Sequence, residues 1–387
     1  MRTAQRLLSV FDERRAAETM RELLQRAGIT IGGDAPWDIQ VHDERVYLRA
    51  LRDGTLGAGE SYVEGWWDCP AIDQMFERIT RANLELVLRE SWILLANAVK
   101  ARIVNLQATR AFEVGERHYD VGNDLYRAML GERMVYTCAY WKQADNLDAA
   151  QQAKLDLVCR KIGARPGMRI LDLGCGWGGF AAFAAENYGA SVVGYTVSRE
   201  QWAWAKEHHA TLPVDIRLED YRKATGSYDA VVSIGLMEHV GPKNHRAYME
   251  LAARCLAPGG IVFVHTIGGD EPRTQIDPWY HKYIFPNAVI PTLGQLATAM
   301  DKTLVVEDVH NIGPDYDRTL LSWWTNFDQA WPSLRARYGD RYGDRFYRMW
   351  KFYLMTSAAQ FRARALNLYQ IAATAVGAPQ PSTVRAT

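Results

Sequence analysis

The sequence predicts an α/β protein: a doubly wound parallel sheet that carries the chemistry, preceded by a small α+β domain. Three observations predict it. Arg169–Gly179 (R-I-L-D-L-G-C-G-W-G-G) joins a short apolar run to a glycine-rich turn; strand-like and helix-like segments alternate from there to His265; and the residues before the run lack that alternation. At 387 residues the chain is long enough for two domains. We read them as an N-terminal α+β domain over 1–100, a connection over 101–116 and a catalytic domain over 117–380.

In chain order, a helix-like stretch runs to about Ala27, and Ile29–Val41 and Val46–Leu51 then alternate like strands with Gly and Asp between them. The segment Gly57–Asp68 (G-A-G-E-S-Y-V-E-G-W-W-D) holds no nucleophile–base arrangement, so its Trp pair reads as core or interface. Asp73–Val99 is helical by period. His118–Tyr126 and Met134–Trp141 bring turn formers and aromatics ahead of the sheet, where such segments can cross the ligand-binding edge. Ile170, Leu171 and Leu173 form the first strand and Phe180–Tyr188 the first helix; Ser191–Tyr195 is the second strand. Ser198 N-caps Arg199–Ala210, with Gln201 completing a capping box. Ile216–Leu218, Tyr228–Ile234 and Ile261–His265 continue the strands, with Ala257–Gly260 as a turn. Leu304–Val309 and Ala365–Ala373 read as further strands, Asp317–Tyr338 and Tyr342–Gln360 as helices.

Gly174, Gly176 and Gly178 let the backbone turn tightly against a ligand before the helix begins. Gly174, Gly176 and Gly179 also satisfy G-x-G-x-x-G, the dinucleotide pattern. A dinucleotide fold wants an acid about 20 residues on for the ribose. Here the second strand ends in Thr196-Val197-Ser198, and Asp172 stands just before the glycines, where a carboxylate suits a cationic ligand.

Lys+Arg and Asp+Glu balance at 45 each, which argues against a nucleic-acid partner. The five cysteines show no C-x-x-C spacing and no metal set, and the first residues lack the apolar stretch of a signal peptide; a reducing cytoplasm is expected. The most apolar segment, Trp92–Val99, is far short of the roughly 20 residues of a spanning helix. Contact with one membrane surface stays open.

The run L-D-L-G-C-G-W-G-G resembles motif I of class I methyltransferases, which bind S-adenosylmethionine. The ordered series Y-T-C-A-Y-W, L-D-L-G-C-G-W-G-G, G-Y-T-V-S-R-E-Q, L-E-D-Y-R, M-E-H-V-G-P-K-N, H-T-I-G, Y-I-F-P-N and F-R-A-R resembles the cyclopropane-fatty-acyl-phospholipid synthases, including the longer form with G-E-S-Y-x-x-G-W-W in an N-terminal domain. The resemblance implies a Rossmann-like class I methyltransferase domain that transfers methylene from S-adenosylmethionine to a cis double bond in a phospholipid acyl chain. It implies a bound bicarbonate as the base, held by Glu238, His265, Tyr316 and the backbone at Cys138 and Ile267. It also implies cofactor contacts from Asp172, Gly174, Gly176, Trp177 and Gly178, from Thr196, Ser198 and Gln201, from Asp220 and Tyr221, and from Tyr136 and Thr137.

Residue chemistry is compatible. An alkene is a poor nucleophile, so a sulfonium methyl must be brought into line with it in a dry pocket; aromatic faces can stabilise the resulting cation, and a base must then take a proton for the ring to close. A cysteine found in some members is Ser357 here, and alkene methylation needs no enzyme nucleophile. Two other readings stand beside this one: a sister methyltransferase giving a methyl-branched or hydroxylated chain, and a non-catalytic lipid-binding or scaffolding protein. Expected partners are phospholipid acyl chains, met by peripheral association with the inner face of the membrane, with the N-terminal domain in docking or homodimer contacts. Trp279, Tyr283, Ile284 and Phe285, in a Pro-bounded segment, are expected at the pocket mouth, the alternative being core packing.

Overall fold

The computed structural model describes residues 13–84, 122–339 and 343–385. The connection expected over 101–116, the His118–Val121 part of the aromatic segment and most of the helix expected to Val99 lie outside them. The chain divides into two compact units: residues 1–104 with Asp277–Ile284 and Asp328–Ala365, and the remainder. The division is thus not the sequential one expected, because two stretches beyond the sheet's fifth strand belong with the N-terminal residues.

In the first unit, α1 (Glu13–Arg26) precedes β1 (Gln40–Val41), α2 (Arg45–Val63), β2 (Trp67–Asp68) and α3 (Ile72–Arg81). The strand expected over Val46–Leu51 is helix instead. Its apolar residues Val46, Tyr47 and Ala50 fall on one helical face and are buried, so the period is three to four and not two. Strands β1 and β2 pair antiparallel over two residues each. The core is aromatic: Tyr62 meets Trp67 at 4.9 Å and Phe352 at 5.5 Å between ring centroids. Gly59 is required by close approach, since a Cβ there would lie 2.4 Å from Trp279 Cδ1.

Trp279 itself is fully buried against Phe352, 4.7 Å between centroids. Its place is therefore core, which corrects the pocket-mouth expectation for that residue. Glu60 accepts from Arg49 and Lys282 and, at 2.8 Å, from the Tyr283 hydroxyl.

The second unit contains α4 (Asn123–Leu130), α5 (Leu147–Lys161), β3 (Arg169–Leu173), α6 (Gly179–Tyr188), β4 (Ser191–Thr196), α7 (Arg199–His208), β5 (Val214–Leu218), β6 (Tyr228–Ile234), α8 (Met237–Val240), α9 (His245–Arg254) and β7 (Leu256–Gly269). After α10 (Pro278–Tyr283) of the first unit come α11 (Leu293–Met300), β8 (Leu304–Asn311), α12 (Gly313–Tyr338), α13 (Asp344–Arg362) and β9 (Leu366–Ala375). Residues of α12 beyond Phe327, and α13, count with the first unit.

The sheet order is β5-β4-β3-β6-β7-β9-β8. The first five strands are parallel, but β9 runs antiparallel between β7 and β8, so the sheet is mixed and not purely parallel. The turn expected over Ala257–Gly260 is an irregularity inside β7: Tyr228 pairs with Leu256, yet Ala230 pairs with Ile261. β4 and β5 are laid on one side of β3, then β6 and β7 on the other, so the C-terminal ends of β3, β4 and β6 open a crevice at the switch point.

His245, at the start of α9, is buried with Nε2 unpartnered among the described residues, and burial lowers its pKa from the ordinary 6.5 to about 4. As pH falls below 6.5 the unfolded chain binds a proton that the folded chain refuses until about 4, so this group's contribution to stability is lost in that window. His245→Gln should therefore gain ~3 kcal/mol relative to the parent between the two ends of that window. Chemical denaturation at each pH checks this; a parent–variant difference that stays constant with pH contradicts it.

Candidate active site

The site starts from the turn after β3. Gly174, Gly176 and Gly178 have φ of 85°, 58° and 81°, left-handed values that glycine adopts without steric cost. The Gly174 and Cys175 amides donate to the Tyr195 carbonyl at 3.1 and 2.9 Å, fastening the turn to β4. A cavity of about 250 Å³ lies against this turn in the second unit.

Of the residues expected to hold the cofactor, Tyr136, Thr137, Asp172, Gly174, Gly176, Trp177, Thr196, Ser198, Gln201, Asp220 and Tyr221 all line that cavity. Gly178 does not. A Cβ there would lie 3.0 Å from the His209 ring, so Gly178 serves the turn and the packing of α7's end and not the cavity wall.

Ser198 caps α7 by accepting from the Gln201 amide at 3.3 Å, whereas the Gln201 side chain accepts from the Thr196 hydroxyl at 2.9 Å. The expected capping box is thus half made, its second arm diverted to the cavity wall. Burial alone would raise the Asp220 pKa. Hydrogen bonds from the Arg222 guanidinium at 2.9 and 2.7 Å and from its backbone amide outweigh burial and hold it low, so a carboxylate faces the cavity beside Tyr221.

Asp172 is buried, and burial raises its pKa to about 7; the nearby Lys154 ammonium opposes that shift. This carboxylate, the positive-φ turn and a Gly176 whose Cβ would meet no atom within 4 Å together fit a cofactor with a cationic amino-acid end.

The residues expected at the base are held by two sets of contacts. Glu238, on α8, accepts through Oε1 from the Ile267 amide at 2.6 Å, and its buried Oε2 has no partner among the described residues. The Ile267 N–H expected to donate to bicarbonate is therefore engaged by Glu238, a correction that leaves Ile267 orienting the carboxylate. Burial raises the Glu238 pKa, against the opposing hydrogen bond from the Ile267 amide.

His265, on β7, is buried and held well below the ordinary histidine range by burial and then by the positive charges of Lys154 and Lys161. The Gln370 amide nitrogen faces its Nδ1 at 3.4 Å. In this orientation of the Gln370 amide, whose own Oε1 is buried without a partner among the described residues, Nδ1 accepts and the ring proton falls on Nε2, also buried without a partner among them. One orphaned acceptor and one orphaned donor fit an anion that carries its own hydroxyl.

Cys138 and Tyr316 belong to the second set. The Ala139 amide donates to Thr319 Oγ1 at 3.1 Å and the Trp141 amide to Asp315 Oδ2 at 2.9 Å, laying the Y-T-C-A-Y-W segment along α12 beside Tyr316. Burial, and then Asp315, push the Cys138 thiol well above its ordinary pKa, so it is not a thiolate nucleophile.

Sequence reasoning missed an aromatic line. Tyr316 meets Trp323 at 6.0 Å, Trp323 meets Tyr136 at 5.1 Å, Tyr136 meets Tyr126 at 5.4 Å, and Tyr126 meets Trp177 at 4.9 Å. It runs from the second set to the cofactor cavity. Lys154 and Gln151, polar residues three apart on the buried face of α5, were missed as well; their helical spacing with the apolar Leu155 and Val158 was the available signal.

The mycolic acid cyclopropane synthetase family model matches residues 106–371. A cyclopropane-fatty-acyl-phospholipid synthase from Escherichia coli (strain K12) is 48% identical over 351 residues, 90% of this chain and 91% of the relative. The structure of the cyclopropane synthase MmaA2 from Mycobacterium tuberculosis covers 68% of this chain and 98% of its own at a TM-score of 0.63 and 28% identity. That of the mycolic acid cyclopropane synthase CmaA1, complexed with SAH and CTAB, covers 68% and 97% at a TM-score of 0.60 and 28% identity. The match spans the glycine turn, Glu238, His265 and Tyr316, and with it the fold is that of a class I methyltransferase: this chain belongs to the mycolic acid cyclopropane synthetase family.

Proposed function

We propose that this protein transfers a methylene group from S-adenosylmethionine to the cis double bond of an unsaturated phospholipid acyl chain, forming a cyclopropane ring. The observation that carries the reading is the pairing of a cavity built for a cationic nucleoside cofactor with two buried, complementary orphan atoms, Glu238 Oε2 and His265 Nε2, in one sheet unit. When bound, the cofactor supplies an electrophilic methyl group, and bicarbonate supplies a base. Asp172 and the glycine turn orient the first. Glu238 accepts a hydrogen bond from the hydroxyl of the second, while neutral His265 donates to its oxygens, which avoids two facing anions.

The rings of Tyr316, Trp323 and Tyr136 offer negative faces to a cation forming on the acyl chain. Tyr316 and Trp323 are buried, and a site that keeps water from that cation would favour ring closure over hydroxylation.

Among the described residues no helix is long and apolar enough to cross a membrane. We infer that the acyl chain enters from a membrane surface and that the first unit, which bears none of these site residues, serves docking. The deciding test is mass spectrometry of lipids from cells expressing the protein. A gain of one CH₂ with loss of the alkene signal is expected; a gain of CH₂ with the alkene retained, or with added oxygen, would replace the ring by a branched or hydroxylated product.

A further inference from the structure

Lys154 is fully buried, lines the cofactor cavity from α5, and donates from Nζ to Thr137 Oγ1 at 2.9 Å. One turn earlier, Gln151 donates from Nε2 to the Thr137 carbonyl at 2.8 Å. These two side chains clamp the Y-T-C stretch, which has no regular secondary structure of its own. A buried ammonium is costly unless an opposite charge faces it. Among the described residues Lys154 makes no direct ion pair, although Asp172 on β3 contributes a favourable field, and the imidazole of His265 on β7 lies within its influence.

Donor logic sets the direction of the contact. An ammonium has no acceptor, so Thr137 Oγ1 must accept from it, and the hydroxyl hydrogen of Thr137 is left for an acceptor on the cavity side. The positive charge and the free hydroxyl hydrogen thus point to the same kind of ligand group.

We propose that Lys154 is a positioning residue: through Thr137 it presents a hydroxyl donor backed by positive charge to the carboxylate at the amino-acid end of the cofactor. This rests on the reading that Thr137 faces the cofactor. Asp172 then answers the ligand's cationic groups and Lys154 its anionic one, so that a zwitterion meets a matched pair of charges.

A carboxylate arriving beside this lysine should also draw a proton onto it, because burial has lowered its pKa to about 7. The test is titration calorimetry with S-adenosylhomocysteine and with its decarboxylated analogue, on the parent, Lys154→Met and Thr137→Val. Lys154→Met should weaken S-adenosylhomocysteine about tenfold and the decarboxylated ligand less than about twofold. Equal loss for both ligands, or for neither, overturns the proposal. Should Thr137→Val alone lose affinity while Lys154→Met does not, the proposal fails and the reading of Thr137 stands; unchanged affinity in Thr137→Val removes both. If Lys154→Met does not fold, the parent decides: at about pH 8.5, buffers of different ionisation enthalpy should show proton uptake with S-adenosylhomocysteine and not with the decarboxylated ligand. No uptake overturns the proposal.

Discussion

Glu238→Gln should lower turnover by about 100-fold or more while S-adenosylhomocysteine affinity changes by less than about threefold. The substitution keeps shape and inverts chemistry. Oε1 must still accept from the Ile267 amide, so the new amide nitrogen is aimed where Oε2 stands, and an acceptor becomes a donor. A bound bicarbonate would then lose the acceptor for its hydroxyl. His265→Ala should act in the same sense by removing the Nε2 donor, and it leaves Gln370 unpartnered at the ring position.

Both residues stand outside the cavity wall, which is why cofactor affinity should survive. Turnover in the parent should also rise with added bicarbonate after degassing, and this response should be blunted in both variants. Calorimetry and a lipid-product assay read the two quantities separately. Loss of cofactor affinity with an unchanged rate per bound enzyme would overturn the assignment of these residues to proton removal.

The second large effect is expected at the glycine turn. A Cβ at Gly176 would meet no atom within 4 Å, and the residue lines the cavity, so the side chain of Gly176→Val should occupy ligand space without striking the core. Affinity for S-adenosylmethionine should fall about 100-fold or more. The left-handed φ of 58° adds a strain of ~1–2 kcal/mol for a residue with a Cβ, so a modest drop in melting temperature should accompany it. Gly179→Val makes a useful contrast: its Cβ would lie 2.5 Å from the Arg133 carbonyl, and it should lose folding before binding. Retained cofactor affinity in a folded Gly176→Val protein would show that the ligand does not lie against this turn.

Much of the sheet was legible because its cues are local. Apolar runs of strand length, Ser198 as a cap and glycines at positive φ each act within a few residues, and the observed β3, β4, β5 and β6 fall where these cues place them. The motifs M-E-H-V-G-P-K-N and H-T-I-G offered Glu238 and His265 as candidates by position in the chain, and the family resemblance added Tyr316. Val46–Leu51 failed because a short apolar run fits either period until its partner face is known.

By itself, then, the sequence determined the α/β alternation, the left-handed glycine turn and the residue types gathered at the strand ends, since backbone sterics and hydrophobic period operate at short range. Tertiary structure decided what depends on direction and enclosure. The antiparallel entry of β9 between β7 and β8, the placement of Trp279 in a core and of Gly178 outside the cavity wall, and the engagement of the Ile267 amide by Glu238 are set by which segments return to which edge. Burial decided the protonation landscape: Asp172 and Glu238 are pushed up, and Lys154 and His265 down, because charge is costly where water is excluded, a property of the packed site and not of the residue.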